Sequence, residues 1–112
     1  MTDQPAEQYL YLTTTGRRTG RPHEIEIWFV AHDGCWYLVS ELRERADWVQ
    51  NIQHSPAVTV RIGDRVWDGT GRVVDAAAEP QRIAAVRALM DAKYGWSDGL
   101  IVELCPQTEL RP

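Results

Sequence analysis

The 112-residue sequence has no apolar run approaching the roughly 18 residues that a membrane-spanning helix requires, and polar residues, not an apolar signal region, follow Met1. These absences point to a soluble, cytoplasmic chain with no membrane contact. Cysteine is scarce. Cys35 and Cys105 lie far apart and outside any metal-ligand spacing, so two reduced, buried thiols are expected. His23, His32 and His54 show no i, i+4 pairing, which gives a metal site no support. There is no nucleophile elbow, Walker loop or Rossmann glycine fingerprint, and Gly16-x-x-x-Gly20 joins strand to strand instead of strand to helix. Positive charge is also short overall. A net charge of −4 disfavours non-specific nucleic-acid binding, so local basic clusters point to a small anionic ligand. No repeat, low-complexity tract or linker divides the chain, so residues 1–112 read as one domain with a flexible N-terminal arm over 1–8.

Tryptophan, by contrast, is plentiful. Five in so short a chain exceed what a small core hides, so some should cover a ligand or a partner surface. Tyr9 to Thr14 reads as a first strand. His23 to Ala31 reads as a second, with Ile25, Ile27, Phe29 and Ala31 on one face and Glu24, Glu26, Trp28 and Val30 on the other. Asp33-Gly34 turns the chain into a third strand, Cys35 to Ser40, completing three consecutive antiparallel strands. A short helix is expected over Arg45 to Gln53, a strand at Val58 to Ile62 and another at Arg65 to Asp75. Gly69 and Gly71 mark a bend, bulge or close approach in the latter. Glu79-Pro80 opens a second helix that Gly95 stops, and Leu100 to Leu104 forms a last strand before Pro106. The sum is mainly β with flanking helices: five to six antiparallel strands and two helices in a small barrel.

Two basic loops stand out. Thr15-Gly16-Arg17-Arg18-Thr19-Gly20-Arg21-Pro22 sets arginines and hydroxyls between glycines, in the grammar of a tight turn. Glycine permits close backbone approach and arginine matches phosphate or carboxylate, so Arg17, Arg18 and Thr19 read either as an anion grip or as a solvated hairpin tip. His23 opens the next strand beside them. Ser40-Glu41-Leu42-Arg43-Glu44-Arg45 precedes the first helix, where Arg43 and Arg45 could grip a second anionic group or pair with neighbouring carboxylates. Trp48 fits the core with Ile52, and Tyr94-Gly95-Trp96 could cover a planar cofactor or seal the domain edge.

Leu12-Thr13-Thr14-Thr15-Gly16-Arg17-Arg18-Thr19-Gly20-Arg21-Pro22 resembles the L-T-T-x-G-R-[KR]-[ST]-G-x-x signature of the deazaflavin-dependent nitroreductases. The resemblance continues through Asp47-Trp48-x-x-Asn51-Ile52 and Pro56-x-Val58-x-Val60, with a weaker echo in Tyr94-Gly95-Trp96. It implies a split β-barrel related to the FMN-binding pyridoxamine-phosphate oxidases. It further implies a homodimer with the cofactor near the subunit interface, and hydride transfer from reduced coenzyme F420 to a small quinone, nitroaromatic or enone-type acceptor. Carried over residue by residue, it assigns Arg17, Arg18, Thr19, Ser40, Glu41, Arg43 and Arg45 to the cofactor, with Trp48 and Asn51 supporting that loop and Tyr94 or Trp96 bordering the substrate pocket; His23 joins the cofactor candidates by its place beside the turn alone. A glycine pair common after the third strand is replaced here by Glu41-Leu42-Arg43-Glu44-Arg45. An FMN-dependent oxidoreductase and a non-catalytic F420 or flavin carrier or sensor therefore stand beside the leading reading.

Overall fold

A computed structural model describes residues 4 to 111. It contains β1 (Tyr9–Thr15), β2 (Pro22–Trp28), β3 (Val30–His32), β4 (Cys35–Ser40), α1 (Asp47–His54), β5 (Ala57–Ile62), β6 (Arg65–Val73), α2 (Pro80–Tyr94) and β7 (Leu100–Arg111). All seven strands belong to one antiparallel sheet in the order β2-β1-β5-β6-β7-β4-β3. β2 and β3 are separated in the chain only by Phe29, yet they occupy opposite edges of the sheet. Only a sheet curled until its edges approach can satisfy both facts, and the result is a half-barrel of the split-barrel type.

This arrangement corrects two sequence expectations. The strand expected over His23 to Ala31 breaks at Phe29, which raises the strand count to seven, and the first three strands do not form a meander. The alternation nonetheless continues through the break. Ile25, Ile27, Phe29 and Ala31 join the barrel core, whereas Trp28 and Val30 join the layer under α2. β4 is apolar at every interior position because both of its faces are covered. Trp36 and Leu38 point into the barrel, and Tyr37 and Val39 point toward α2.

Helix α1 plugs the barrel with Val49 and Ile52. It begins two residues later than expected, because Arg43–Arg45 forms a 3-10 turn and Ala46 is extended. The helix fits closely at Gly71, where a Cβ would lie 3.1 Å from Ile52 Cγ2. Helix α2 starts on Pro80 and stops at Gly95, whose φ of 73° is left-handed. β7 runs past Pro106 to Arg111, because a register shift against β6 between Asp68 and Gly69 absorbs the irregularity that proline imposes.

The cysteines also depart from expectation. Cys35 and Cys105 are joined in a disulfide, with Cα atoms 4.5 Å apart. The β4–β7 register pairs Trp36 with Leu104, and one further step sets the two cysteines opposite each other. Sequence spacing hides that adjacency. At the N-terminus, residues 1 to 3 of the expected flexible arm lie outside the described residues, but Gln4 is tied to β3. Its side-chain amide donates to the Ala31 carbonyl at 2.8 Å and accepts the Ala31 N–H at 2.7 Å.

A charged seam joins the sheet to α2. Glu103, only 8% exposed, accepts from the Tyr37 hydroxyl at 2.5 Å and from Arg72 Nε at 2.8 Å. Arg72 and Arg82 both reach Glu79. Burial, together with the Glu103 carboxylate, pushes the Tyr37 phenol up to about 12. The guanidinium of Arg72, seconded by Arg82, pulls Glu79 down to about 2. Glu103 is held below the usual carboxylate range by Arg72 and Tyr37, against the opposing pull of burial.

Candidate functional site

A cleft of about 1150 Å³ runs beside β2, between that edge strand and the wall made by Val39–Leu42 and the start of α1. From His23 to Trp28 the strand spans roughly 17 Å at a rise of about 3.3 Å per residue. The two ends of the cleft differ in chemistry. Arg17, Arg18, Thr19 and His23 gather at the turn, whereas Trp28 and Trp96 stand at the other end, with Ile25, Ile27, Leu42 and Trp48 between.

The turn owes its shape to a small set of bonds. The Gly16 N–H donates to the Arg21 carbonyl at 2.7 Å, and the Gly20 N–H donates to the Gly16 carbonyl at 2.8 Å. A Cβ at Gly16 would fall 2.7 Å from His23 Nε2 and 3.1 Å from Thr19 Oγ1, so a side chain there would displace the exposed imidazole. Asn51, 4% exposed, braces the turn from α1. Its Oδ1 accepts the Arg17 N–H at 3.2 Å and Arg17 Nη1 at 3.0 Å, and its Nδ2 donates to Thr14 Oγ1 at 3.1 Å. Arg17 Nη2 also lies 3.1 Å from Asp47 Oδ1. The two adjacent arginines therefore differ in role. Arg17 is spent on holding the turn to α1, while Arg18 is exposed and makes no hydrogen bond or ion pair among the described residues. Thr19 Oγ1 accepts the Arg21 N–H at 3.2 Å, which closes the turn on its outer side.

On the opposite wall, Ser40 is buried and donates to the Arg43 carbonyl at 2.9 Å. Arg43 adopts a left-handed φ of 55°, an uncommon conformation for a non-glycine residue. Its guanidinium turns away from the cleft to Asp98, with Nη2 3.2 Å from Oδ1.

Of the residues anticipated from the sequence, Arg17, Arg18, Thr19, His23, Ser40, Glu41, Trp48, Asn51 and Trp96 line the cleft together. Arg43, Arg45 and Tyr94 do not. The expected second basic grip is thus absent from the lining. Arg43 is committed to Asp98, Arg45 is exposed outside the cleft, and Tyr94 lies behind Trp28, stacked at 4.4 Å and 6°. Sequence reasoning placed Trp28 on the Glu24–Glu26 face of its strand without assigning it to the cleft, and passed over Leu42 as a cleft residue. A large apolar side chain next to a charged loop was the available signal for Leu42.

The lining fits a long ligand with an anionic end and a flat ring. Exposed Arg18 and the compact turn suit an anionic group, and the Ile25–Ile27 and Trp48 surfaces suit a planar one. The largest displacements of proton affinity belong to the Tyr37–Glu103 seam, outside the cleft.

The fold is shared by several solved structures. A conserved hypothetical protein, Rv2991 from Mycobacterium tuberculosis, superposes with a TM-score of 0.75 at 18% identity, covering 93% of this chain and 76% of the other. A putative pyridoxamine 5'-phosphate oxidase from Listeria innocua gives 0.70 at 15% identity, covering 94% and 88%. An F420-H2 dependent reductase, FDR-A, gives 0.63 at 21% identity, covering 93% and 99%. The profile of the F420H(2)-dependent quinone reductases matches residues 2–98, which include the arginine turn, α1, both cleft walls and Trp96. The chain belongs to the F420H(2)-dependent quinone reductase family.

Proposed function

We propose that this F420-dependent reductase binds its coenzyme along β2, with the anionic tail at Arg18 and Thr19, and reduces a small quinone presented at the Trp28–Trp96 end. The observation that carries the reading is the polarity of the cleft: a braced cationic turn at one end and two indole rings at the other. Reduced F420 supplies the hydride when bound, and the protein's task is to orient donor and acceptor. Asn51 and Asp47 fix Arg17, and through it the backbone of the turn from which Arg18 projects. Ile25, Ile27 and Trp48 give the ring an apolar floor that limits access of water. Nitroaromatic and enone-type acceptors share the electrophilic character of a quinone and belong to the same reading.

The proposal includes a homodimer with the cofactor near the subunit interface. Tyr9 and Leu42 line the cleft yet stay 41% and 56% exposed, as expected of apolar side chains awaiting a ligand or a second subunit. Anaerobic oxidation of reduced F420 by 2-methyl-1,4-naphthoquinone, followed by the return of deazaflavin absorbance, tests the activity. Turnover with micromolar to millimolar KM supports it, and absence of turnover with quinone, nitro and enone acceptors alike would leave the carrier reading. Sedimentation velocity tests the dimer, and a monomer across the micromolar range would exclude it.

A further inference from the structure

Tyr94 does not reach the cleft, but it stands behind the residue that forms the cleft's aromatic end. Its ring stacks on Trp28 with centroids 4.4 Å apart and planes 6° from parallel. Trp96 meets Trp28 edge-on at 6.4 Å and 70°. The Tyr94 hydroxyl accepts the Phe29 N–H at 3.0 Å and shares its single proton between the carbonyls of Phe29 and Gln8, at 2.9 and 2.8 Å. The neighbouring Lys93 adds a second clamp. Its Nζ donates to the Phe29 carbonyl at 3.0 Å and to the Glu7 carbonyl at 2.9 Å, and it sits 4.2 Å from the centre of the Phe29 ring.

Phe29 is the residue at which the chain leaves one sheet edge for the other, where ladder hydrogen bonds lapse. The last turn of α2 supplies the missing partners there, and does so next to Trp28, a residue of the cleft lining.

We propose that Tyr94 is a positioning residue for the acceptor. Acting through Trp28, it holds that indole as a fixed wall against which a flat aromatic acceptor stacks, with Lys93 locking the backbone at Phe29. The inference rests on the quinone-reductase reading and adds a specificity determinant to it. A preset wall favours planar ring acceptors over small non-aromatic ones, because a flat ring gains from a surface already aligned.

Three measurements on the full-length chain test this: near-UV circular dichroism, quenching of apo-protein tryptophan fluorescence by 2-methyl-1,4-naphthoquinone, and steady-state kinetics with that quinone and with cyclohex-2-enone. Tyr94→Leu should diminish the near-UV signal of the coupled rings. It should also raise the quinone Kd and KM about tenfold, the loss expected for one aromatic stack. The enone KM and the F420 Kd should each stay within about twofold, since neither uses the wall, and kcat likewise, because the stack contributes equally to the ground and transition states. Tyr94→Phe keeps the ring and loses the hydroxyl, so its quinone KM should fall between those of wild type and Tyr94→Leu; it also serves if the leucine variant folds poorly. A quinone KM unchanged in Tyr94→Leu, or quinone and enone KM values that rise together, overturns the proposal. Wild-type protein that binds F420 but no ring acceptor removes the quinone reading, and this inference with it. Wild-type quinone binding with an indifferent Tyr94→Leu removes this inference alone.

Discussion

Replacing Asn51 with alanine probes how the sequence builds the arginine turn. The amide is buried, donates to Thr14 Oγ1, and accepts both the backbone N–H and Nη1 of Arg17. Alanine removes all three bonds at once. Thr14 is itself 2% exposed, and its hydroxyl would be left without that partner; the Arg17 guanidinium would keep only Asp47. Leaving buried polar groups unpaired costs about 1–3 kcal/mol each. Because Arg17 can turn partly toward water, a loss of about 2–3 kcal/mol is expected in total. That corresponds to a fall in Tm of roughly 8–15 °C for a domain of this size. The aspartate variant separates hydrogen bonding from packing. Asn51→Asp keeps the acceptors for Arg17 and allows the new carboxylate to accept from the Thr14 hydroxyl, so its loss should stay within about 1 kcal/mol. Thermal melts read stability, and F420 titration reads the turn, with affinity expected to fall in Asn51→Ala and to persist in Asn51→Asp. An Asn51→Ala protein with unchanged Tm and unchanged affinity would refute the claim that this amide organises the site.

Three further outcomes follow from the same geometry. Arg18→Ala should weaken F420 binding and flatten its salt dependence while leaving Tm within about 2 °C, because an exposed side chain adds little to stability; Arg17→Ala should lower both affinity and Tm. Reduction of Cys35–Cys105, or its replacement by serines, should cost about 4 kcal/mol on the chain-entropy account, read as a lower denaturation midpoint; the bond closes a separation of 70 residues. In acid, Glu79 carries a folded pKa of about 2 against an ordinary 4.5, and Glu103 is lowered as well. The unfolded chain therefore binds more protons in that window, so the stabilisation is complete above pH about 4.5 and is lost as pH falls toward 2. Glu79→Gln should flatten this limb of a Tm-versus-pH curve, and an unaltered limb would place the acid sensitivity elsewhere.

Much of the half-barrel was legible because its signals are local. The Gly16–Gly20 turn, the Asp33-Gly34 hairpin, Pro80 at the start of α2 and Gly95 at its end are all set by backbone conformation. The alternation from Ile25 to Ala31 assigned side chains to the correct faces, yet it could not show the break at Phe29. A strand that changes sheet edge without changing its pleat leaves the period intact. The disulfide was invisible for a related reason, since adjacency of Cys35 and Cys105 depends on the pairing of β4 with β7.

The candidate site divides along the same line. Arg17, Arg18, Thr19, Trp48 and Asn51 came together because one turn and one helix carry them. Arg43 was misplaced because its left-handed φ turns the side chain toward Asp98, a residue 55 positions away. Tyr94 was misplaced because its contact is with Trp28 and Phe29, across the edge-to-edge crossing. Composition could say that five tryptophans were too many for the core; only the fold shows that Trp28, Trp48 and Trp96 face the cleft.

The central claim is that the cleft along β2 is a coenzyme site, and direct titration of the purified protein with F420 and with FMN tests it. Trp28, Trp48 and Trp96 line the cleft, so occupancy should quench tryptophan emission. The account predicts saturable F420 binding at micromolar Kd or tighter that weakens with salt and is largely lost in Arg18→Ala. Tight FMN binding without F420 binding, or F420 binding that ignores both salt and Arg18, would contradict it.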